Sequence, residues 1–125
     1  MLGSMNLVAF VPSTAPAHSR PFFEELLGLR LVGADAFAHV YEAGNAALRV
    51  VDVSSTGHVP APFTILGWQV PNITSVVTEL RGKGVAFERY AGMGQDMLGI
   101  WTSPSGAKVA WFKDPDGNVL SVSEY

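Results

Sequence analysis

The chain has 125 residues, of which 48% are hydrophobic and 15% charged, so it can bury one proper core and is too short for two ordinary domains. A net charge of −3 supplies no basic surface, which argues against nucleic acid or an anionic membrane as a partner. The chain has no cysteine and no apolar run long enough to span a membrane, so we expect a soluble, cytoplasmic protein without disulfides or thiolate metal ligands.

The first half of the chain predicts a strand, a helix and three further strands. After residues 1–4, which we interpret as a cloning remnant, residues 6–11 are typical of a strand. Residues 17–27 carry apolar side chains at helical spacing, and Pro21 allows either a helix that starts near Ser19 or an earlier helix that kinks. We favour the later start. Strands are predicted over residues 29–32, 37–41 and 47–53.

The second half repeats this order after a proline-containing connector at residues 54–62. A strand is predicted over 63–70, and a helix over 73–81 with Asn72 as its N-cap. Further strands are predicted over 85–90, 99–102 and 108–112, with a flexible loop at 91–97. The sequence therefore predicts two modules, at about residues 5–53 and 63–125, within one domain over 5–125.

A rigid turn closes the second module between residues 112 and 119. Asp114 can accept hydrogen bonds from the backbone two residues on, Pro115 presets its own φ, and Gly117 and Asn118 tolerate positive φ. Such a turn fixes the register of a hairpin, so the faces of the last strand follow from parity. Leu120 and Val122 should share one face, and the serines at 121 and 123 the other.

Three short matches between the halves indicate an internal duplication of a βαβββ unit. A Val-Pro pair precedes each helix, a glycine follows each helix, and Gly-Asn precedes the last strand of each half. The run FKDPDGN at 112–118, together with FFEELLGLRLV at 22–32, resembles the vicinal oxygen chelate superfamily of glyoxalases, bleomycin-resistance proteins and extradiol dioxygenases. The resemblance implies an α+β fold in which two tandem βαβββ modules form a curved mixed sheet with a central cup and the helices outside. It also implies a homodimer.

The same resemblance implies four positions at which metal-using members carry His, Glu or Gln. These positions hold Asn6, Arg49, Ile65 and Ser121 here. An amide, a guanidinium, an alkyl group and a hydroxyl are poor ligands for divalent first-row metals, and the positive charge of Arg49 opposes a cation. We therefore expect no metal and no cofactor.

Strand parity then predicts which side chains line the cup. Those expected to bind a ligand are Asn6, Val8, Phe10, Arg49, Val51, Gln69, Trp101, Trp111, Ser121 and Ser123. Gly67 and Val109 should share this face, which is mostly apolar with a few polar groups, as small-molecule pockets are. Trp101 and Trp111 lie on neighbouring strands and either form an aromatic plate for a flat ligand or fill the core. Trp68, by parity, faces the helix as a core residue.

Two further side chains have alternative interpretations. A buried guanidinium needs acceptors, so Arg49 either binds a carboxylate, phosphate or enolate of the ligand, or reaches the rim and pairs with a surface carboxylate. His39 is either a half-buried strand residue or a base that lines the cup.

The function that these observations favour is a metal-independent protein that binds an aromatic or amphipathic small molecule, for sequestration or resistance. The sequence contains no recognisable nucleophile or phosphate-binding motif, so no catalytic residue is assigned. The alternative is a glyoxalase-like lyase or isomerase, or a dioxygenase-related enzyme. Such an enzyme would either hold a metal through non-standard ligands or use Arg49 to stabilise an oxyanion.

Overall fold

The computed structural model describes all 125 residues, which divide into two units, Met1–Val59 and Pro60–Tyr125. Each unit contains one four-stranded mixed sheet with a helix after its first strand. The predicted α+β fold of two tandem βαβββ modules is confirmed. No helix of the chain is both long and apolar enough to cross a membrane.

The first unit has the strand order β1-β4-β3-β2, with β1 parallel to β4 and the other pairs antiparallel. Its elements are β1 (Leu7–Ser13), α1 (Pro16–Pro21), a π-helical turn (Phe22–Leu26), β2 (Arg30–Ala34), β3 (Ala38–Ala43) and β4 (Ala46–Asp52). A 3₁₀ turn at Leu2–Ser4 precedes them and is fully exposed.

The second unit repeats the arrangement as β5-β8-β7-β6, with β5 parallel to β8. Its elements are β5 (Thr64–Gln69), α2 (Ile73–Gly82), β6 (Trp101–Thr102), β7 (Lys108–Lys113) and β8 (Val119–Glu124). The Asn72 side chain accepts a hydrogen bond from Ser75 N–H at 3.0 Å, so the predicted N-cap of α2 is confirmed.

The preferred late start of the first helix is wrong. The helix α1 begins at Pro16, a proline that suits the first helical position because its missing N–H would have no intrahelical partner there. Pro21 falls at the end of α1, where it cannot donate to the carbonyl four residues earlier. The backbone then continues as a π-helical turn in which Leu27 N–H donates to Phe22 O at 3.0 Å. Pro21 is therefore accommodated by a change of helix type.

The predicted strand over residues 85–90 is also wrong. Only one β-bridge forms there, between Phe87 and Phe112, and Glu88 N–H donates to Trp111 O at 2.7 Å. Two segments share the edge of β7 that faces away from β8. The strand β6 pairs with residues 108 and 109, and residues 87 and 88 contact only the following residues of β7. Residues 85–90 therefore have too few backbone partners to form a regular strand.

The hairpin turn between β7 and β8 follows the prediction at Asp114. Its Oδ1 accepts from the backbone N–H groups of Asp116 and Asn118, both at 2.9 Å, and its Oδ2 accepts from Asn118 Nδ2 at 2.9 Å. Only Gly117 adopts a positive φ, 83°, whereas Asn118 supports the turn from a buried position. Burial raises the pKa of the Asp114 carboxyl, and the hydrogen bonds from Asn118 and Asp116 oppose that shift.

Each sheet has one face that packs against the helix of its own unit. In the first unit the buried side chains on this face are Val11, Tyr41, Leu48 and Val50, and the ring of Tyr41 lies 5.7 Å from that of Phe23. In the second unit they are Ala110, Phe112, Leu120 and Val122. Full burial of each larger apolar side chain contributes about 1.5–3 kcal/mol. Trp68 has the predicted helix-facing parity but stays only half-buried.

Candidate functional site

The opposite face of the second sheet carries the predicted side chains in two rows, and we call it the module-two face. One row contains Gly67, Ser121 and Trp111, and the next contains Gln69, Ser123, Val109 and Trp101. Residues paired across neighbouring strands point to the same side of a sheet, so the parity that the hairpin predicted holds here.

Three aromatic side chains meet at the outer part of this face, and we call them the aromatic cluster: Tyr90, Trp101 and Trp111. The indole rings of Trp101 and Trp111 lie 6.1 Å apart at 37°, and Tyr90 meets Trp111 edge-on at 5.5 Å and 78°. Both tryptophans are half-buried and Tyr90 is 39% exposed, so the rings retain accessible surface. The structure brings the two tryptophans together. Tyr90 was missed because the sequence placed it at the end of a strand that does not form.

Small and polar side chains lie on the same face of the sheet, on the strands β8 and β5. Gln69 is exposed and Ser123 is half-buried, so both have surface available for a hydrogen bond with a ligand. Ser121, by contrast, is only 8% exposed. A Cβ on Gly67 would lie 2.5 Å from Ser121 Oγ, so this hydroxyl occupies the space above the glycine. Of the two serines predicted to bind, Ser123 is the more accessible.

One ion pair lies at the edge of the module-two face. Lys113 follows Trp111 by two residues on β7, and its Nζ lies 3.2 Å from Glu88 Oε1. Ion pairs of this exposure contribute little to stability, but this one neutralises the charge of Lys113. This face therefore resembles the wall of a pocket for a largely uncharged ring.

The loop that carries Tyr90, which the sequence predicted to be flexible, contains several side-chain hydrogen bonds to the main chain. Gln95 Oε1 accepts from Tyr90 N–H at 2.7 Å, and Gln95 Nε2 donates to Glu88 O at 2.9 Å and to Gly99 O at 2.8 Å. Asp96 Oδ1 accepts from Leu98 N–H and from the backbone N–H of residue 100, both at 2.9 Å. Side chains have replaced the strand pairing that this stretch lacks.

In the first unit, strand register places three pairs on the face away from α1. Val8 lies opposite Ala47, Phe10 opposite Arg49, and Pro12 opposite Val51. Val8 and Phe10 are 47% and 62% exposed, so this face has apolar surface that the helix does not cover.

A groove of about 470 Å³ lies at the end of the first sheet where β1 begins and where the turn joins β3 to β4, and residues of both faces line it. Among its lining residues are Asn6, Val8, Val32, Glu42 and Asn45. Two of the residues predicted to bind a ligand, Asn6 and Val8, therefore line the groove. The predicted residues at positions 10, 49 and 51 do not line it.

Arg49 is not the buried, unpaired guanidinium that the first interpretation required. Its side chain is 34% exposed, and its Nη2 lies 3.9 Å from Asp35 Oδ2, so the alternative of pairing with a surface carboxylate is what the structure shows. The pKa of Asp35 is lowered mainly because its carboxylate accepts hydrogen bonds from the backbone N–H groups of Phe37 and Ala38, with a smaller effect of Arg49. The contact with Arg49 is longer than a hydrogen bond.

His39 does not belong to the face that carries Arg49. It pairs with Val50 on the helix-facing side, and its Nδ1 is buried without a hydrogen-bond partner. The interpretation of His39 as a base that lines the cup is therefore wrong. Nearby, Tyr41 Oη donates to Glu24 Oε2 at 3.0 Å, and burial together with this carboxylate raises the pKa of Tyr41 to about 12. The hydrogen bond between Tyr41 and Glu24 joins the sheet of the first unit to its helical segment.

The residues present do not fit a divalent metal at the positions that the resemblance implied. Asn6 precedes β1, and Ile65 lies at the register shift between Thr64 and Leu66. Arg49 is paired across the strands with Phe10, and Ser121 is paired with Gly67. Neither of these neighbours has a side chain that could donate an electron pair to a metal. Nowhere in residues 1–125 do three His, Asp or Glu side chains come together in a way that could hold a metal ion. The donor set lacks the imidazoles and carboxylates that such an ion requires.

Comparison with solved structures shows the same fold in several bacterial proteins. A glyoxalase/bleomycin resistance protein/dioxygenase superfamily member from Sphaerobacter thermophilus matches with a TM-score of 0.77 and 18% identity, covering 100% of both chains. A lactoylglutathione lyase from Agrobacterium tumefaciens matches with a TM-score of 0.75 and 14% identity, over 97% of this chain and 93% of that one. A glyoxalase/bleomycin resistance protein/dioxygenase from Alicyclobacillus acidocaldarius gives 0.74 and 12%, over 98% and 92%. Identities this low establish the fold alone.

At the level of sequence, no curated protein gives a significant match. The model of the glyoxalase/bleomycin resistance protein/dioxygenase superfamily matches residues 7–122, which is nearly the whole chain. Together with the two βαβββ modules, this match means that the chain belongs to the glyoxalase/bleomycin resistance protein/dioxygenase superfamily.

Proposed function

We propose that the protein binds an aromatic or amphipathic small molecule without a metal, in a sequestration or resistance role. The observation that carries this proposal is the aromatic cluster, in which Trp111 contacts both Tyr90 and Trp101 and all three rings keep exposed surface. Half-exposed aromatic side chains beside a few polar groups are the usual lining of small-molecule sites.

The spacing of the two indoles constrains how a ring would bind. Stacked rings approach to about 3.5 Å, so a ring inserted between two indoles needs about 7 Å between parallel planes. Trp101 and Trp111 are 6.1 Å apart and tilted by 37°, and they already contact each other. The ligand ring therefore lies on the outer surface of the cluster, where Ser123, on the strand next to β7, can hydrogen-bond its edge.

Arg49 enters the proposal as a separate element of the first unit. Its contact with Asp35 is 3.9 Å long and partly exposed, which is weak for an ion pair. A ligand carboxylate or phosphate that offered a bidentate geometry would compete well with Asp35 for the guanidinium. Replacing Arg49 by leucine should then weaken binding of anionic ligands more than binding of neutral ones.

We also propose that the protein forms a homodimer. The support is β1, an edge strand of the first sheet on which Leu7, Val8 and Phe10 are 69%, 47% and 62% exposed. Exposed apolar edge strands tend to be covered by another chain. Sedimentation velocity should give a dimer, and replacing Phe10 by lysine should shift it toward monomer; a wild-type protein that stays monomeric at all concentrations would contradict this.

The central test is a fluorescence titration in a Trp68→Phe background, which leaves the two indoles of the cluster as the only tryptophan emitters. A panel of aromatic metabolites and antibiotics, at several concentrations each, should include ligands that quench the emission saturably. Replacing Trp101 or Trp111 by alanine should then raise Kd by about 3- to 10-fold, because an aromatic contact contributes about 0.5–1.5 kcal/mol beyond its buried area.

Calorimetric titration of the same ligands supplies the control, since it does not depend on the emitters. A panel without any saturable ligand, or Kd values that neither tryptophan substitution changes, would contradict the proposal. Replacing the exposed residue Met97 by alanine provides a matched surface variant and should leave Kd unchanged.

A further inference from the structure

Two side chains, Gln95 and Arg89, connect the limbs of the loop that borders the aromatic cluster. Arg89 Nη2 donates to Asp96 O at 2.7 Å and to Met97 O at 2.8 Å, but only Gln95 bonds to Tyr90. The first limb contains Glu88 and Tyr90, and the second contains Gly99 and leads directly into β6 with Trp101. Gln95 lies between them and uses its amide oxygen on Tyr90 N–H and its amide nitrogen on the carbonyls of Glu88 and Gly99, with all three hydrogen bonds between 2.7 and 2.9 Å. A side-chain amide has two donors and one acceptor atom, and here all of them have partners.

We propose that Gln95 is a positioning residue of the ligand site, which sets the ring of Tyr90 against Trp111; this inference rests on the proposed function. Glu88 N–H donates to Trp111 O at 2.7 Å, so the first limb is fixed to β7 directly beside Trp111. The bond from Tyr90 N–H to Gln95 then fixes the backbone two residues further on. The edge-on contact of Tyr90 with Trp111 follows from these two anchors.

Few backbone hydrogen bonds hold the loop. Residues 90–100 form no strand or helix, and the backbone bonds within them, such as Met93 N–H to Tyr90 O at 3.2 Å, are supplemented by side chains that bond to the main chain. Removing one partner from a partly buried set of hydrogen bonds leaves the others unsatisfied, which favours rearrangement of the loop. Gln95 is the member of the set that reaches Tyr90.

A second residue of the loop separates positioning from general stabilisation. Asp96 accepts from the backbone N–H groups of residues 98 and 100, and its own N–H donates to Ile100 O at 2.9 Å. These bonds close the second limb and do not touch Tyr90. Trp101 is held separately by its strand pairing with Val109, so Asp96→Ala should destabilise the same loop while the aromatic cluster keeps its geometry. Asp96→Ala is therefore the matched control for Gln95.

The test measures near-ultraviolet circular dichroism, Kd and Tm for Gln95→Ala, Gln95→Glu and Asp96→Ala. The glutamate variant keeps the size of the side chain, but its carboxylate faces two carbonyl oxygens, and the repulsion should displace it from Tyr90 N–H as well. It therefore breaks the whole set of bonds and provides a second test if the alanine variant fails to fold. Both Gln95 variants should change the aromatic dichroism and raise Kd by about tenfold. Asp96→Ala should lower Tm by about as much as the Gln95 variants do. It should leave the aromatic dichroism unchanged and Kd within about twofold of wild type.

The dichroism requires no ligand, so it tests positioning even if the wild-type protein binds nothing in the panel. In that case a changed spectrum for the Gln95 variants alone supports positioning, while the proposed function fails on its own titration. An unchanged spectrum in folded Gln95→Glu, or equal changes in Gln95→Glu and Asp96→Ala, would overturn the inference.

Discussion

Replacing Gly67 by alanine should strain the second sheet at one defined contact. The added Cβ would lie 2.5 Å from Ser121 Oγ, 3.3 Å from the Ser121 carbonyl oxygen and 3.8 Å from Ser121 Cβ. The shortest contact is far inside van der Waals distance, and the second is tight. The Ser121 hydroxyl is buried, so displacing it disturbs its surroundings, whereas the contact with the carbonyl oxygen needs only a few tenths of an ångström of relaxation.

The size of the effect follows from two opposing contributions. Inserting a methyl group into a packed site costs about 1–3 kcal/mol. Alanine also restricts the unfolded chain relative to glycine, which stabilises by about 0.4–1 kcal/mol where the backbone conformation is compatible. We therefore expect Gly67→Ala to lower the free energy of unfolding by about 1–2 kcal/mol in wild type.

The second substitution, Ser121→Ala, removes the 2.5 Å contact and leaves the other two. In that background Gly67→Ala should be nearly neutral, so the coupling between the two sites should be about 1–2 kcal/mol. Urea denaturation of the four proteins measures it. A Gly67→Ala protein as stable as wild type, or an equal cost with and without the hydroxyl, would show that the side chain of Ser121 does not occupy the space above residue 67.

The remaining predictions address the first unit and the metal. His39→Phe should stabilise the protein by up to about 1 kcal/mol in urea denaturation, because it removes a buried nitrogen that has no hydrogen-bond partner; a clear loss of stability would mean that this nitrogen is satisfied in solution. Raising the pH from 10 to about 12 should lower the stability of wild type more than that of Tyr41→Phe. The reason is that the pKa of Tyr41 is about 12 in the folded state and about 10 in the unfolded state, so the unfolded state loses the proton first. Parallel pH profiles of the two proteins would refute this. Arg49→Leu should change stability by less than about 0.5 kcal/mol, because its ion pair with Asp35 is long and exposed; a loss above 1 kcal/mol would indicate a stronger partner. Elemental analysis of protein purified without chelator should find no stoichiometric transition metal, and one equivalent of zinc, nickel, manganese or iron would favour the enzyme alternative instead.

Features set by neighbouring residues were predictable from the sequence. The turn at Asp114 and the N-cap at Asn72 each depend on backbone groups within four residues, and both formed as expected. The register of the last hairpin follows from that turn, so the sequence also placed Trp111 and Ser121 correctly on one face. The residues of one turn were therefore enough to predict which side chains of β7 and β8 share a face.

Features that depend on distant partners were not predictable. Residues 85–90 have strand composition, but β6 already occupies part of the β7 edge that they would need. The burial of Arg49 depends on where the loop that carries Asp35 lies, and parity gives no information about that loop. The contact of Tyr90 with Trp111 requires the Gln95 bonds between two limbs of a loop, for which the sequence has no periodic signal.

The parallel pairing of β5 with β8 has a consequence for the order of folding. The two strands are neighbours in the sheet but lie at opposite ends of the sequence of the second unit. Pairing them therefore closes a much longer chain loop than forming the β7–β8 hairpin does. Loop-closure entropy therefore favours early formation of the hairpin and late docking of β5. In a kinetic study we expect φ-values near one around Asp114 and low values in β5, and the reverse pattern would show that the parallel contact nucleates the unit.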